Sequence, residues 1–333
     1  RPVAEDALIL GISGRYEFKN KGIDVFIDAM GQLNRNNGLG KEVLAFILVP
    51  AGHAGANKEL LHNLELPYQA VTSTDLYLTH YLNDSANDPV MNRIRAQKLR
   101  NSEEDKVKIF FVPSYLNGDD GVLNMPYYDL LVGMDLTAFP SYYEPWGYTP
   151  LESLAFKVPT ITTTLAGFGL WVKEHYNMNH PGIEVIHRED GDASNVATAI
   201  AEWVKNYTQV GETEMQKDRD NAKDVSRIAL WDNLINYYKQ AYTIALNQVS
   251  VRLKDLPANM NESVSYIEKQ LTVNNPSWVS VMIHRSIPEK LIALEELSKN
   301  LWWAWNEGAR ELFRMIDVDK WRACGHNPIM LLD

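Results

Sequence analysis

Residues 136–152 of the chain read LTAFPSYYEPWGYTPLE, a short apolar run followed at once by a turn and the start of a helix. Leu136–Phe139 is typical of a buried strand. Thr149 suits the N-cap of the helix that follows, and Pro150 suits its first position, where the N–H that proline lacks would have no partner in any case. A strand that leads directly into a helix is the repeating unit of α/β sheets. The stretch therefore predicts an α/β fold.

The same unit recurs through roughly the first 250 residues. Further strands are predicted at Ala7–Ile12, Val43–Val49, Val107–Val112, Pro159–Thr162 and Glu184–Ile186. Helical periodicity is found at Gly22–Leu33, Asp88–Leu99, Tyr127–Gly133, Pro150–Phe156, Asp192–Tyr207 and Leu230–Gln248. We expect a doubly wound, mostly parallel sheet with helices on both faces, and a short helical insertion at Ala51–Asp75. Ligands of such sheets bind outside the carboxyl ends of the strands.

The composition narrows the classes of partner. The 333 residues carry a formal net charge of −11, which argues against nucleic acid and anionic membranes. The longest apolar run, Val43–Val49, is far shorter than the ~20 residues of a membrane-spanning helix. Cys324 is the only cysteine, which favours a reducing compartment, so we expect a cytoplasmic protein. The spacing of the histidines predicts no metal site.

The turn formed by Gly147, Tyr148 and Thr149 is suited to binding phosphate. The first amides of a helix have no partner within the helix, and they lie at the positive end of its dipole. A phosphate group accepts hydrogen bonds from such amides without further help. Gly147 lets the backbone approach the ligand closely.

Two carboxylates bracket this turn, and each has more than one interpretation. Glu152 can form a capping box with Thr149, in which its carboxylate accepts a hydrogen bond from the Thr149 amide. Glu144 can be a solvated loop residue. Alternatively, both carboxylates hold hydroxyl groups of a sugar, because a carboxylate is poorly placed beside a phosphate unless it binds something else.

A second loop, Gly14–Gly22, follows the first predicted strand and carries two cations six positions apart, Arg15 and Lys21. Both can converge above the carboxyl end of the strand, where they would hold a pyrophosphate and stabilise its charge as it leaves. The alternative is a solvated basic loop with Gly22 as a turn residue. The loop lacks the glycine and lysine spacing of a Walker loop or a dinucleotide-binding motif.

The two loops together closely resemble those of eukaryotic-type glycogen synthases. The resemblance is carried by Gly14–Asp24 and by Ser141–Glu152, which contains the string YYEPWGYTP. Further matches keep one order between about residues 8 and 245, at Thr79-His80, Asp84-Ser85, Asp88-Pro89, Ile94-Arg95, Val107–Val112, Pro126-Tyr127 and Thr163–Gly169. The resemblance implies a GT-B fold, in which two Rossmann-like lobes enclose the active site. This chain would be the carboxyl-terminal lobe.

By this resemblance, the diphosphate of a nucleotide sugar would be held by both loops. Arg15 and Lys21 would bind the diphosphate and stabilise the departing nucleotide. The backbone of Gly147, Tyr148 and Thr149 would cradle the distal phosphate.

The resemblance also implies the remaining contacts and the reaction. Tyr127 would stack on the base, Glu144 would hold a glucose hydroxyl, and Glu152 would hold the ribose hydroxyls. Glucose would pass from UDP-glucose to the non-reducing 4-hydroxyl of an α-1,4-glucan with retention of configuration. That chemistry needs a stabilised oxocarbenium-like transition state and a neutralised leaving group more than an enzyme nucleophile. It implies no cofactor in this chain.

Residues from about 286 onward have a different character. They resemble the amino-terminal region of bacterial and archaeal α-glucan phosphorylases, at Ile287–Lys290, Asn300–Asn306, Glu311–Phe313 and Gly325–Pro328. We therefore expect three parts: a nucleotide-sugar-binding lobe (1–248), a linker (249–285) and the helical start of a phosphorylase region (286–333). Pyridoxal phosphate would bind only in the phosphorylase region that is missing from this chain.

The tail also predicts self-association. Leu291, Leu294, Leu301 and Trp305 keep helical spacing and would form one apolar face with Trp302. Large exposed apolar patches are rare in stable monomers. Without a phosphorylase domain to cover it, this face must dock on the lobe, pair with another copy or remain mobile, and we favour pairing with a second copy of the chain in a homo-oligomer.

The chain departs from the glycogen synthase pattern in four ways. The insertion at Ala51–Asp75 is shorter than the helical insertion that builds the eukaryotic tetramer. The amino-terminal lobe is absent, so we expect the isolated chain to be inactive. Asp135 stands where the family usually has histidine, which leaves its role open. The regulatory arginine cluster that binds glucose 6-phosphate would lie in Met215–Leu230, where cations alternate with aspartates, so we expect no activation. The alternative function is a non-catalytic module that tethers or regulates the phosphorylase.

Overall fold

The computed structural model of the protein describes residues 3–36, 38–66, 77–176 and 182–252. The chain divides into two compact units, residues 1–230 and 231–333. The predicted linker beyond residue 252 and the predicted phosphorylase segment lie outside the described residues. The self-association expected of that segment therefore stays a prediction, as do the two boundaries between the three predicted parts.

Six strands of the first unit form one parallel sheet, as the sequence predicts. The strands described are β1 (Leu8–Ser13), β2 (Val43–Leu48), β3 (His53–Ala56), β4 (His80–Leu82), β5 (Val107–Val112), β6 (Leu136–Ala138), β7 (Thr160–Thr163) and β8 (Ile183–Ile186). The sheet has the order β5-β2-β1-β6-β7-β8, and each neighbouring pair is parallel. The chain moves outward from β1 to one edge and returns with β6 on the other side of β1. The predicted doubly wound α/β sheet is confirmed.

Helices follow most of the strands. Those of the first unit are α1 (Ile23–Asn34), α2 (Lys58–Glu65), α3 (Pro89–Ala96), α4 (Tyr127–Val132), α5 (Tyr148–Ala155), α6 (Gly167–His175), α7 (Ala193–Tyr207) and α8 (Glu212–Arg227). Helix α9 (Trp231–Arg252) belongs to the second unit. The predicted insertion contains a short helix, α2, but it begins with β3, which pairs antiparallel with β4. The sequence did not predict that hairpin.

Buried apolar side chains pack the sheet on both faces. The larger cluster joins β1, β2 and β5 to α1, α3 and α7, with Phe26 fully buried in it. A second cluster joins β8 to α5, α6 and α8 around the buried ring of Phe168. Ile183 and Val185 of β8 enter the second cluster, whereas Ile186 enters the first. Burial on both faces explains why β1, β2 and β5 are almost continuously apolar.

Candidate functional site

The candidate site lies above the junction of β1 and β6. Gly11 of β1 pairs in parallel with Thr137 of β6, so the carboxyl ends of both strands lie on the same side of the sheet, here called its carboxyl-terminal edge. The β1 loop (residues 14–22) and the β6 loop (residues 139–147) leave the sheet at this edge. The strand order reverses between these two strands, which is where open α/β sheets bind their ligands.

The two loops are in direct contact. The Tyr142 amide in the β6 loop donates a hydrogen bond to the Asn20 carbonyl in the β1 loop, at 2.7 Å. Gly22 is the N-cap of α1 and has φ of 67°. A Cβ atom on Gly22 would lie 1.8 Å from the Pro140 carbonyl oxygen, so another residue there would force the loops apart. Gly22 is therefore needed for the approach of the loops as well as for the turn.

An ion pair joins the loops at their centre. The Lys21 ammonium donates a hydrogen bond to Oε2 of Glu144, and the two side chains are 15% and 21% exposed. Residues 123 positions apart in sequence are thereby brought together above the sheet. This contact contradicts the interpretation of Glu144 as a solvated loop residue. It also contradicts the interpretation of Lys21 as part of a freely solvated loop.

The backbone around Glu144 is held by the segment that follows β7. The Glu144 amide donates to the Leu165 carbonyl at 3.2 Å, and the Gly167 amide donates to the Glu144 carbonyl at 3.0 Å. A Cβ atom on Gly167 would lie 2.1 Å from the Pro145 carbonyl oxygen. The start of α6 therefore packs directly under the β6 loop and holds the backbone at Glu144 in place.

Arg15 has a different environment from Lys21. Its side chain is 78% exposed, and its guanidinium lies 3.1 Å from the Glu17 carboxylate in the same loop. The structure thus brings Lys21 to Glu144 but shows Arg15 paired with Glu17. An exposed pair of this kind contributes little to stability, so Arg15 can change partner at low cost when an anion is present.

Helix α5 begins earlier than predicted. Its N-cap is Gly147, with φ of 109°, and its first residue is Tyr148. Thr149 is therefore not the N-cap, and Pro150 is the third residue of the helix rather than the first. The expectation for both residues was wrong because a glycine in the left-handed region starts the helix two positions sooner. Tyr148 and Thr149 now supply the first-turn amides that have no partner within a helix.

Glu152 does not form the capping box, since Thr149 lies inside the helix. Its Oε1 atom instead accepts a hydrogen bond from the Tyr128 hydroxyl of α4 at 3.3 Å. Burial raises the pKa of Glu152, and the bond from Tyr128 partly offsets this rise. Glu152 is thus a partly buried carboxylate next to two tyrosines, Tyr127 and Tyr128.

Tyr127 lies at the amino end of α4, close to the end of β1. Its hydroxyl shares a hydrogen bond of 2.7 Å with the Ser13 hydroxyl. Burial raises the pKa of Tyr127 to about 12, so the hydroxyl stays protonated. This hydrogen bond holds the Tyr127 ring beside the junction of the two loops. Contact of the ring with the nucleotide base stays a prediction.

Arg188, which the sequence did not predict as a site residue, lies just beyond β8 at the same edge of the sheet. Arg188 is 5% exposed, and its guanidinium donates to the Pro140 carbonyl in the β6 loop. Its guanidinium carbon lies 5.3 Å from the centre of the Tyr142 ring, and its amide donates to the Thr164 hydroxyl at 2.9 Å. Arg188 therefore supports the β6 loop from below. The signal available was the charged run 187–190 directly after a predicted strand.

Asp135 lies at the opposite, amino-terminal edge of the sheet. It precedes β6, where its Oδ2 atom accepts a hydrogen bond of 2.9 Å from the Ile9 amide and its Oδ1 atom one of 2.8 Å from Arg219 of α8. The carboxylate thus ties the amino ends of β1 and β6 to α8. The role left open by the sequence is structural, and Asp135 is remote from the two loops.

Two of the α8 cations pair with carboxylates, one of which belongs to the same helix. Arg219 bonds Asp135, and Arg227 lies 3.0 Å from Asp224. The Lys157 ammonium nitrogen lies 2.7 Å from a carboxylate oxygen of Asp220. The absence of activation by glucose 6-phosphate stays a prediction.

Among residues 3–36, 38–66, 77–176 and 182–252, no group of three or more histidine, cysteine and carboxylate side chains is placed to hold a metal ion. No helix within these ranges is long and apolar enough to cross a membrane.

Two protein-family models match this chain. A family model for glycogen synthase matches residues 3–75 and 70–290, and a model for a protein family of unknown function, DUF3417, matches residues 287–333. Isoform 2 of glycogen [starch] synthase from Saccharomyces cerevisiae is 28% identical over 73% of this chain and 44% of its own length. The Neurospora crassa glycogen [starch] synthase is 29% identical over 73% and 42%.

An animal relative is similar to this chain at a comparable level of identity, and a solved structure is similar at a lower level. Rat liver glycogen [starch] synthase is 27% identical over 73% of this chain and 42% of its own length. The crystal structure of WaaG, a glycosyltransferase involved in lipopolysaccharide biosynthesis, is 16% identical with a TM-score of 0.38, covering 68% of this chain and 44% of that one. The chain therefore spans less than half the length of the relatives it matches. Because the family model covers most of its residues, the chain belongs to the glycogen synthase family.

Proposed function

We propose that this chain is the nucleotide-sugar-binding lobe of a retaining GT-B glycosyltransferase, which transfers glucose from UDP-glucose to the non-reducing end of an α-1,4-glucan. The observation that carries the proposal is the Lys21–Glu144 ion pair at the reversal of strand order. It puts a cation suited to phosphate next to a carboxylate suited to a sugar hydroxyl. Membership of the glycogen synthase family supports the same reaction.

The diphosphate lies at the amino end of α5. The amides of Tyr148 and Thr149 and the close approach permitted by Gly147 receive its distal phosphate. Lys21 and Arg15 neutralise the charge that grows on the diphosphate as the bond to glucose breaks. Arg15 reaches the ligand by leaving Glu17, which its exposure allows.

The sugar, the ribose and the base contact the other predicted site residues. Glu144 holds a glucose hydroxyl, Glu152 holds the ribose hydroxyls, and Tyr127 contacts the base. The bond from the anomeric carbon to the diphosphate oxygen breaks, and one forms to the acceptor 4-hydroxyl oxygen. The acceptor proton leaves with UDP, so no enzyme nucleophile and no cofactor of this chain is required.

The rest of the active site belongs to the part of the relatives that this chain does not match. That part supplies a second lobe, which binds the glucan and closes over the donor to exclude water. The phosphorylase segment proposed for residues 286–333 joins the enzyme to a glucan phosphorylase, where pyridoxal phosphate would bind.

The non-catalytic alternative loses part of its basis. It rested on the replacement of a histidine by Asp135 and on the small number of arginines in Met215–Leu230. Asp135 bonds Ile9 and Arg219 at the opposite edge of the sheet, so its identity does not weaken the two loops.

Calorimetric titration with UDP tests the proposal. We expect the chain to bind UDP, and Lys21→Met to weaken binding by at least about tenfold, because a charge-assisted contact is removed. Lys157→Met is the matched control: it breaks a solvent-exposed pair with Asp220 and leaves UDP affinity unchanged. Failure of the folded wild-type chain to bind UDP would favour the non-catalytic alternative.

A further inference from the structure

Tyr128 belongs to none of the predicted contacts, yet it touches Glu152. Its hydroxyl crosses from α4 to α5 and donates to Oε1 of Glu152 at 3.3 Å. The side chain is 45% exposed, so it lies at the surface beside the site rather than in the core. A tyrosine at this position can therefore be changed without opening a cavity.

The ring of Tyr128 is held in place by two aromatic neighbours. It stacks on Phe156 with ring centroids 5.0 Å apart and an interplanar angle of 17°. The Tyr127 ring lies on another side, with centroids 5.3 Å apart. Phe156 follows Glu152 by one helical turn, so the stacking and the hydrogen bond tie Tyr128 to the same stretch of α5. The hydroxyl is thus directed at Glu152 before any ligand arrives.

A carboxylate at the end of a glutamate side chain otherwise has several rotamers available. Fixing it costs side-chain entropy that ligand binding would have to supply. The Tyr128 bond fixes one oxygen in advance and leaves the second, Oε2, for another donor. It also favours the ionised carboxylate, since the bond lowers the pKa of Glu152 against the effect of burial.

We propose that Tyr128 is a positioning residue for Glu152, which holds Oε1 so that Oε2 accepts a hydrogen bond from a ribose hydroxyl of the nucleotide. The inference rests on the proposed function, because it takes Glu152 as the ribose contact. Tyr128 itself need not touch the nucleotide. Its contribution is specificity for a ribose that carries hydroxyl groups.

The test compares UDP with 2′,3′-dideoxy-UDP, which lacks both ribose hydroxyls. Tyr128→Phe keeps the stacking ring and removes only the hydroxyl. We expect it to weaken UDP binding by roughly five- to tenfold, the scale of one weakened hydrogen bond to a charged group. Binding of 2′,3′-dideoxy-UDP should change by less than about twofold, since that ligand makes no use of Oε2. Tyr242→Phe, at an exposed tyrosine of helix α9 in the second unit, is the control and should change neither affinity.

A double-mutant cycle completes the test. In a Glu152→Ala background, Tyr128→Phe should cause no further loss of UDP affinity, because the residue acts through Glu152. Equal losses for both ligands would overturn the inference and make Tyr128 a general support of α4 and α5. Unchanged UDP affinity in Tyr128→Phe would overturn it as well. If the wild-type chain binds neither ligand, the proposed function itself fails, and this inference fails with it.

Discussion

At the scale of single residues, the ion pair between Lys21 and Glu144 creates a competition. Both side chains are mostly shielded from water, so the charges attract more strongly than a surface pair would. In the proposed mode of binding the diphosphate contacts Lys21, which pairs with Glu144 when no ligand is present. A sugar nucleotide would resolve the competition, because its sugar would give Glu144 a new partner. A nucleotide without the sugar would not.

This competition predicts an unusual effect of Glu144→Gln. The amide keeps the shape of the side chain but releases the Lys21 charge, so UDP should bind roughly three- to tenfold more tightly. The preference for UDP-glucose over UDP should fall, because the sugar loses its carboxylate. In a full-length enzyme, turnover of the corresponding Glu144→Ala variant should drop by about 10²–10³.

Calorimetry with UDP and UDP-glucose measures both affinities. Glu189→Gln serves as the control, since Glu189 is 74% exposed and pairs with His187 outside the two loops. Weaker UDP binding in Glu144→Gln would contradict the competition and leave Glu144 as a support for the position of Lys21.

At the scale of elements, the six strands of the parallel sheet were predictable, whereas the β3–β4 hairpin and several helices were not. Parallel strands buried on both faces read as apolar runs, which is why Val43–Leu48 and Val107–Val112 could be located within a residue or two. Helix α8 was missed because its buried positions are few and lie between charges; Met215, Ala222 and Val225 are its buried apolar residues.

The site was predictable to the extent that it depends on short segments. Glu144 and Lys21 stand in loops that follow predicted strands, so their edge of the sheet could be inferred. Arg188 also follows a predicted strand, but its burial against the β6 loop could not be inferred, because it depends on the Pro140 carbonyl, 48 positions away. The start of α5 was misplaced because the conformation of Gly147, which the composition allows but does not require, outweighs the capping preference of Thr149.

Helix α8 should stabilise the fold without affecting the nucleotide. Arg219 bonds the Asp135 carboxylate and the Met134 carbonyl at the amino end of β6. Arg219→Met should therefore lower the free energy of unfolding by about 1–3 kcal/mol, since it leaves a partly buried carboxylate without its cation. UDP affinity should stay the same, because the two loops are at the opposite edge.

Urea unfolding and UDP titration measure the two quantities. The matched change on the partner, Asp135→Asn, should lose stability in a non-additive way with Arg219→Met, as expected of residues in contact. A marked loss of UDP affinity in either variant would show that the amino ends of the strands influence the loops.

At the scale of the whole molecule, an acidic chain is proposed to bind an anionic ligand. The net charge of −11 repels such a ligand at long range, so binding must come from short-range contacts. The residues proposed for these contacts all lie between Arg15 and Glu152, within the first compact unit. Residues beyond this unit should contribute little to nucleotide affinity.

Ending the chain after Gln248 tests this separation. The shortened chain should bind UDP as the 333-residue chain does, because no proposed contact is removed. Light scattering should show less dimer, since the apolar face predicted at Leu291–Trp305 is lost. Neither chain should extend a glucan primer. Loss of UDP binding on truncation would mean that the residues after Gln248 belong to the same folding unit as the two loops.

The separation of 123 positions between Lys21 and Glu144 has a consequence for synthesis on the ribosome. Strand β1 must wait for β6 before the junction between them exists. At typical elongation rates this interval lasts roughly 6 to 25 seconds. During that time β1 can pair with β2, but its other edge is open to wrong strands. If the proposed mode of binding holds, a nucleotide can stabilise the nascent chain only after β6 has emerged, so before then the early strands depend on chaperones or on fast pairing of β1, β2 and β5.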